Sequence, residues 1–175
     1  MMRRDSKFNI VFTDFDGVLT SQLETPGSYI NHSPDEYGVS PMCFERLVYL
    51  CKRTNSKVIV TSNWRRFDDD GMWSYCTFGT KHTFKNHLPE LKKMLGSLYA
   101  GDLPKNRGMN KSQALVMWFD QHPEFKGQFV VFDDDTREML QSTSSYDINR
   151  HFILTDFMTG LTDNDVEDAC SIMEM

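Results

Sequence analysis

Short runs of consecutive apolar residues recur along the chain, separated by segments with helical spacing. The first run, residues 8–13 (FNIVFT), ends in acidic residues and has the form of a buried strand. Residues 58–60 (VIV) and 129–132 (FVVF) have the same form. Weaker strand signals lie at residues 97–100 and in HFILTD, which we expect to be an edge strand.

The segments between these runs carry the signals of helix ends and of buried helix faces. Ser40–Pro41 begins a helix with an N-cap and a first-turn proline, and Gly96 closes another. Asn110 can cap a third helix, and Thr162 with Asp165 has capping-box spacing before a fourth. Apolar residues at helical spacing give each helix one buried face: Phe44, Leu47, Val48 and Cys51; Leu88, Leu91 and Leu95; Leu115, Trp118 and Phe119; Val166, Ala169 and Cys170.

Strands that alternate with helices predict an α/β protein with a three-layer, Rossmann-like fold and a mostly parallel central sheet. The length and the absence of repeats or linkers favour a single domain over residues 1–175. Residues 21–40 are polar and rich in turn residues, which indicates a loop or flap over the site rather than a domain of its own. Residues 67–85 give no clear prediction.

Composition and charge narrow the classes of function. With 39% hydrophobic and 25% charged residues, the chain is expected to be globular and soluble. No apolar run approaches membrane-spanning length, the first residues do not resemble a signal peptide, and we expect a cytoplasmic protein. The four cysteines are scattered, which argues against a zinc site or a disulfide framework. A net charge of −6 argues against a broad electrostatic grip on nucleic acid but leaves a local basic groove open.

Acidic residues follow the first predicted strand, at the sheet edge where ligands bind in parallel α/β folds. Asp14 and Asp16 lie two residues apart and project to the same side of an extended chain, and Gly17 allows a sharp turn. With an acid from another strand they would form an oxygen-ligand site suited to Mg²⁺. A calcium EF-hand is excluded by spacing, because Leu19 stands where that loop needs glycine and Thr25 where it needs glutamate.

A second acidic cluster follows FVVF. Asp133 and Asp134, with Asp135 after them, come directly after a buried strand. Three consecutive acids repel one another there unless a cation is bound. A solvated turn is the alternative interpretation of both acidic motifs.

Three further polar groups are candidates for phosphate contacts. Ser62, with Thr61 and Asn63 beside it, ends the second strand, where a hydroxyl could donate to a phosphate oxygen. Lys111 stands at a helix N-terminus, where phosphate binding is favoured. Arg65 could reach the same phosphate or form a surface ion pair, and both interpretations stay open.

These residues, in this order, resemble the four motifs of the haloacid dehalogenase (HAD) superfamily. The motif residues are Asp14 and Asp16 in FTDFDGVLT, Ser62 (or Thr61 in the other register) in VIVTSNWR, Lys111 in MNKSQALVMWF, and Asp133 and Asp134 in FVVFDDD. Longer stretches, such as WFDQHPEFKGQFVVFDDD and LTDFMTGLTDNDVEDA, look like the capless HAD domain of Swiss Army Knife RNA repair proteins. Two departures are Thr20, where that branch usually has Asn, and TSNWR in place of SSSWR.

The resemblance implies a Mg²⁺-dependent phosphatase without a large cap domain. It implies that Asp14 is the nucleophile that forms an aspartyl-phosphate, and that Asp16 is the acid and then the base. The metal ligands would be Asp14, the main-chain carbonyl of Asp16, and Asp133 or Asp134. Ser62 and Lys111 would bind phosphoryl oxygens, and the expected substrate contacts are Thr61, Asn63 and Arg65.

The substrate is then a phosphorylated molecule: a nucleic acid end, a nucleotide or a small phosphoester. Two rival predictions remain. One is a small-molecule phosphatase for sugar phosphates or nucleotides, and the other is a non-catalytic module that binds phosphate. The oligomeric state is not predicted.

Overall fold

The computed structural model describes residues 8–24, 38–63, 72–77, 80–85, 87–104, 108–136 and 146–174, with the backbone alone for 72–77 and 80–85. In chain order the strands and helices are β1 (Asn9–Thr13), α1 (Pro41–Arg53), β2 (Ser56–Val60), β3 (Met72–Thr77), β4 (Thr80–Lys85), α2 (Leu88–Leu95), β5 (Tyr99–Asp102), α3 (Lys111–Gln121), β6 (Phe129–Asp133), β7 (Phe152–Leu154) and α4 (Asp163–Met173). They alternate along most of these residues, as predicted, apart from the successive strands β2–β4 and β6–β7.

A parallel sheet lies at the centre of the described structure. Its five strands follow the order β5-β2-β1-β6-β7, and every neighbouring pair is parallel. The three clear apolar runs are the three inner strands, and HFILTD supplies the edge strand β7, as predicted. The predicted α/β class and mostly parallel sheet are therefore confirmed.

The inner strands carry continuous apolar runs because helices cover both faces of the sheet. In β1, Val11 packs into a cluster with residues of α1, α2 and α4. Its neighbours Ile10 and Phe12 point to the other face and pack against α3. The rings of Phe12 and Trp118 meet edge to face with centroids 5.2 Å apart, a contact worth about 1 kcal/mol beyond burial. Successive side chains of β1 therefore pack against helices on opposite faces of the sheet, which gives the three-layer architecture.

The predicted helix ends are confirmed by their hydrogen bonds. The Ser40 hydroxyl accepts from the Cys43 N–H at 3.1 Å, and Gly96 follows the last residue of α2. Asn110 and Thr162 each form a complete capping box. Because α3 leads from β5 to β6, which run parallel in the same sheet, its first turn lies at the carboxyl edge of the strands.

The outcome for two further segments is an added hairpin in one and a partial description of the other. Residues 67–85, which gave no clear signal, contain the antiparallel hairpin β3–β4, inserted between β2 and α2. The flap predicted at residues 21–40 is described only at its ends, because residues 25–37 lie outside the described residues. None of the helices in the described ranges has the length and hydrophobicity that a bilayer crossing requires.

Candidate active site

One lysine joins two carboxylates at the carboxyl edge of the sheet. Asp14 follows β1, and its N–H donates to the Phe132 carbonyl of β6 at 3.1 Å. Asp133 is the last residue of β6, and Lys111 is the first residue of α3. The Lys111 ammonium donates to Asp14 Oδ2 and, at 2.6 Å, to Asp133 Oδ2. Residues predicted separately from three motifs therefore form one connected group.

This group is withdrawn from solvent, and the pKa values of Asp133 and Lys111 are shifted. Asp14 is 5% exposed, Lys111 4% and Asp133 0%. Burial and the charge of Asp14 raise the pKa of Asp133 to about 7, although Lys111 opposes the shift. Burial lowers the pKa of Lys111, but the charges of Asp14 and Asp133 outweigh it and the net shift is upward. Lys111 is therefore a permanent positive charge at the site.

Asp134 adds a third carboxylate to the group. One oxygen from each of Asp14, Asp133 and Asp134 lies within 4.8 Å of the others. Burial and the charge of Asp14 raise the pKa of Asp134. When all three carboxylates are ionised, they and the ammonium carry two net negative charges, which a divalent cation would balance. The donor set, all carboxylate oxygens, fits Mg²⁺.

The two acids of the second cluster are held differently. Asp133 already accepts two hydrogen bonds, at Oδ1 from the Asp135 N–H (2.9 Å) and at Oδ2 from Lys111. Asp134 is half-buried and packs against Gly17. Both acids remain candidate metal ligands. Asp133 is the one whose two carboxylate oxygens both accept the hydrogen bonds named above, so we regard Asp134 as the more available ligand.

The chain leaves its extended path directly after Asp14. Residues 16–19 form a turn, and the Leu19 N–H donates to the Phe15 carbonyl at 2.9 Å. Phe15 is buried and stacks on His87 with ring centroids 5.7 Å apart, which anchors the turn in the core. Asp16 is half-buried, and its carboxylate is outside the three-carboxylate group of the described residues. Its proposed main-chain ligand role remains a prediction.

Gly17 has the backbone conformation that was expected of it, with φ of +66°. Its N–H donates to Thr20 Oγ1 at 3.0 Å, and its carbonyl accepts from Thr155 Oγ1 at 2.7 Å. Thr155 was missed in the sequence. The signal was its place directly after the edge strand β7, at the same carboxyl edge as the acids.

The second-motif residues lie at the end of β2, beside β1. Thr61 and Ser62 are both buried, and the Thr61 N–H donates to the Thr13 carbonyl at 2.8 Å. Asn63 is half-buried, while Arg65 lies outside the described residues. The choice between Thr61 and Ser62 as the phosphate-binding hydroxyl remains a prediction.

We expect Gly17→Ala to weaken the binding of a divalent cation by about 10-fold or more, the scale seen when the support of a metal ligand is altered. A Cβ at this position would stand 2.5 Å from the Asp134 carboxylate and displace it. Calorimetric titration of metal-free protein with Mn²⁺ measures the affinity.

Gly96→Ala is the matched control. Gly96 also has a positive φ, +52°, but no atom of the described residues lies within 4 Å of the added Cβ. It therefore carries the backbone strain without the contact with Asp134. Equal cation affinities in the two variants would contradict the importance of that contact.

Comparison with known proteins gives one match. A family model described as the HAD domain in Swiss Army Knife RNA repair proteins matches residues 10–166. No curated protein and no solved structure matches the chain. The matched range runs from β1 into α4 and includes every residue of the acidic group and Lys111.

Proposed function

Because the chain belongs to the family of the HAD domain in Swiss Army Knife RNA repair proteins, we propose that it is a Mg²⁺-dependent phosphohydrolase that acts through an aspartyl-phosphate on Asp14. One observation carries this proposal. The Lys111 ammonium joins Asp14 to Asp133 in a buried group, with Asp134 close enough to share a cation. A nucleophilic carboxylate, a fixed positive charge and a cation site are the components that phosphoryl transfer requires.

The reaction uses Asp14 and Asp16 in two steps. The Asp14 carboxylate attacks phosphorus, the bond from phosphorus to the leaving oxygen breaks, and Asp16 gives that oxygen a proton. Asp16 then takes a proton from a water molecule, whose oxygen attacks the same phosphorus. The Asp14–phosphorus bond breaks and inorganic phosphate leaves.

Lys111 and the second-motif hydroxyl stabilise the charge that builds up on the phosphoryl oxygens. Lys111 is held in place by its bond to Asp133, so its charge needs no reorganisation during the reaction. The cation would be held by Asp14, the Asp16 carbonyl and an acid of the second cluster, for which we favour Asp134. When bound, Mg²⁺ reduces the repulsion between the anionic nucleophile and the anionic substrate.

The proposed substrates are nucleic acid ends or nucleotides. The family description, which names RNA repair proteins, supports this choice. The segments between β1 and α1 and between β2 and α2 are too short for a large cap, so the site can admit a bulky substrate. Because the net charge is −6, we expect recognition of a terminal phosphate rather than electrostatic binding along a long stretch of nucleic acid.

The domain organisation and the location are part of the same proposal. We propose one domain with the 21–40 loop over the site. The Ser40 hydroxyl donates to Glu24 Oε1 at 2.9 Å, which ties the two described ends of that loop together. A cytoplasmic location is supported by the free, buried thiols of Cys43, Cys51 and Cys170.

Phosphate release should require Mg²⁺ or Mn²⁺ and should fall at least about 100-fold in excess EDTA, because the cation supplies several kcal/mol of charge stabilisation. Ca²⁺ should support turnover poorly, since its looser and larger coordination shell spoils the alignment of nucleophile and phosphate. The assay compares 5′- and 3′-phosphorylated oligonucleotides, nucleotides and sugar phosphates.

Return of activity when Mg²⁺ is added back after EDTA is the control for damage by the chelator. Full activity in EDTA would contradict the metal dependence. Cation binding without turnover of any substrate would favour a non-catalytic phosphate-binding module, and turnover of sugar phosphates alone would favour a small-molecule phosphatase.

A further inference from the structure

Two threonine hydroxyls hold the backbone of Gly17 from its two ends. The Gly17 N–H donates to Thr20 Oγ1, and the Gly17 carbonyl accepts from Thr155 Oγ1. Thr20 belongs to the same segment as Gly17, residues 14–20, which we call the acidic loop. Thr155 is 138 positions away from Gly17 along the chain. Thr155 also donates its N–H to the Asp133 carbonyl at 3.0 Å. It therefore ties the acidic loop to the strand that carries the other carboxylates.

The bond to Thr20 sets the direction of a proposed metal ligand. The Gly17 N–H and the Asp16 carbonyl belong to one planar trans peptide group, in which they point in opposite directions. Fixing the N–H on Thr20 Oγ1 therefore fixes where the Asp16 carbonyl points. Neither hydroxyl needs to touch the cation to have this effect.

The bond to Thr155 sets the place of a second ligand. It holds the Gly17 carbonyl, and the Asp134 side chain occupies the space where a Gly17 Cβ would stand. The segment that follows β7 supports the rest of the acidic loop as well. The Leu161 N–H donates to the Val18 carbonyl at 2.8 Å, and a Cβ on Gly160 would stand 2.3 Å from the Thr20 carbonyl oxygen.

We propose that Thr20 and Thr155 are positioning residues for the cation site, which fix the Asp16 carbonyl and the Asp134 carboxylate against each other. This inference rests on the proposed function, because it takes Asp14, the Asp16 carbonyl and Asp134 as the Mg²⁺ ligands. It adds two residues that contact neither cation nor substrate.

The test is Thr155→Val and Thr20→Val, which keep the shape of the side chain and remove the hydroxyl. Calorimetry of metal-free protein with Mn²⁺ and with Mg²⁺ gives the dissociation constants directly. We expect each to rise about 10-fold or more, as for other residues that orient metal ligands. Thr155→Ser keeps the donor and should restore most of the affinity. In turnover assays, the Mg²⁺ concentration for half-maximal rate should rise more than kcat falls.

Thr54→Val is the matched control. The Thr54 hydroxyl is also buried and donates to the Leu50 carbonyl at 2.7 Å, but it lies in the turn between α1 and β2, at the opposite edge of the sheet. Its loss should leave the dissociation constants unchanged. If Thr155→Val does not fold, Thr155→Ala, which also removes the hydroxyl, takes its place beside Thr20→Val.

The outcomes separate the two proposals. Wild-type affinity in both valine variants, or a loss no larger than that of Thr54→Val, would overturn the positioning role and leave the proposed function standing. A wild-type protein that binds no divalent cation would overturn both.

Discussion

Asp14→Asn should reduce phosphate release by at least about 10³-fold, because it removes the nucleophile and a ligand of the cation. The fold should survive the change. An amide oxygen at this position can still accept from the Phe15 N–H, which Asp14 Oδ1 now does at 2.7 Å, and Lys111 keeps its bond to Asp133. Single-turnover phosphate release on purified protein, with thermal unfolding alongside, measures both effects.

Asp120→Asn is the matched control for this variant. Asp120 is an exposed residue near the end of α3 whose carboxylate accepts from the Tyr146 hydroxyl. The same chemical change there should leave turnover unchanged. If Asp14→Asn kept more than a few per cent of wild-type turnover in the absence of contaminating phosphatase, the aspartyl-phosphate mechanism would be wrong.

Lys111→Met should lower turnover by about 10²–10³-fold for every substrate, the scale of loss for a group that stabilises transition-state charge. It should also destabilise the protein by about 3–5 kcal/mol, because Asp14 and Asp133 would face each other without the buried cation between them. Mg²⁺ should recover part of that stability by binding the native state. Thermal unfolding with Mg²⁺ and with EDTA measures the difference.

The kinetic pattern should separate Lys111 from Asp16. Asp16→Ala removes the group assigned to proton transfer, so it should affect a sugar or nucleotide leaving group more than an activated aryl phosphate. With the aryl phosphate, a burst should precede slow hydrolysis of the aspartyl-phosphate. Lys111→Met should affect both substrates alike and give no burst. Rapid-quench kinetics that show the same dependence on leaving group in both variants would overturn this division of roles.

The control for Lys111→Met is Lys92→Met. Lys92 forms an ion pair with Asp102 at 2.6 Å, between α2 and β5, and both side chains are largely shielded from solvent. Breaking this pair should cost stability with no specific loss of turnover. A loss of turnover equal to that of Lys111→Met would mean that Lys111 acts through stability alone.

The sheet could be predicted because a strand that is buried on both faces has a simple sequence pattern, a continuous apolar run. A central parallel strand must be apolar at successive positions, as Ile10, Val11 and Phe12 are. Its helices begin at local capping sequences such as Ser40–Pro41. These signals lie within a few residues of the element they specify, so one sequence suffices to find them.

The hairpin β3–β4 could not be predicted because its strands lack such a local sequence pattern. Its strands, MWSYCT and TKHTFK, mix polar and apolar residues and lack a continuous apolar run. Their antiparallel pairing rests on backbone hydrogen bonds, with Thr77 opposite Thr80. A glycine in the sequence between the two strands was the available signal, and it is weak without clear alternation in the flanking strands.

In the site, residue types were easier to predict than contacts. The sequence indicated that the acids lie at one edge of the sheet, because strand ends collect there, and that Lys111 begins a helix. It could not indicate that Lys111 bonds to Asp14, 97 positions away, or that Thr155 bonds to Gly17. Such hydrogen bonds depend on side-chain geometry that only the assembled fold fixes.

The bonds from Lys111 to the two carboxylates have a consequence for how the protein folds before a metal ion is bound. In many small metalloproteins the ion holds the chain together, and its removal unfolds the protein. Here an internal ammonium already offsets part of the repulsion in the acidic group. We therefore expect the newly synthesised chain to fold in a metal-poor environment and to gain or lose its ion afterwards without unfolding. Occupancy can then follow the free Mg²⁺ of its surroundings.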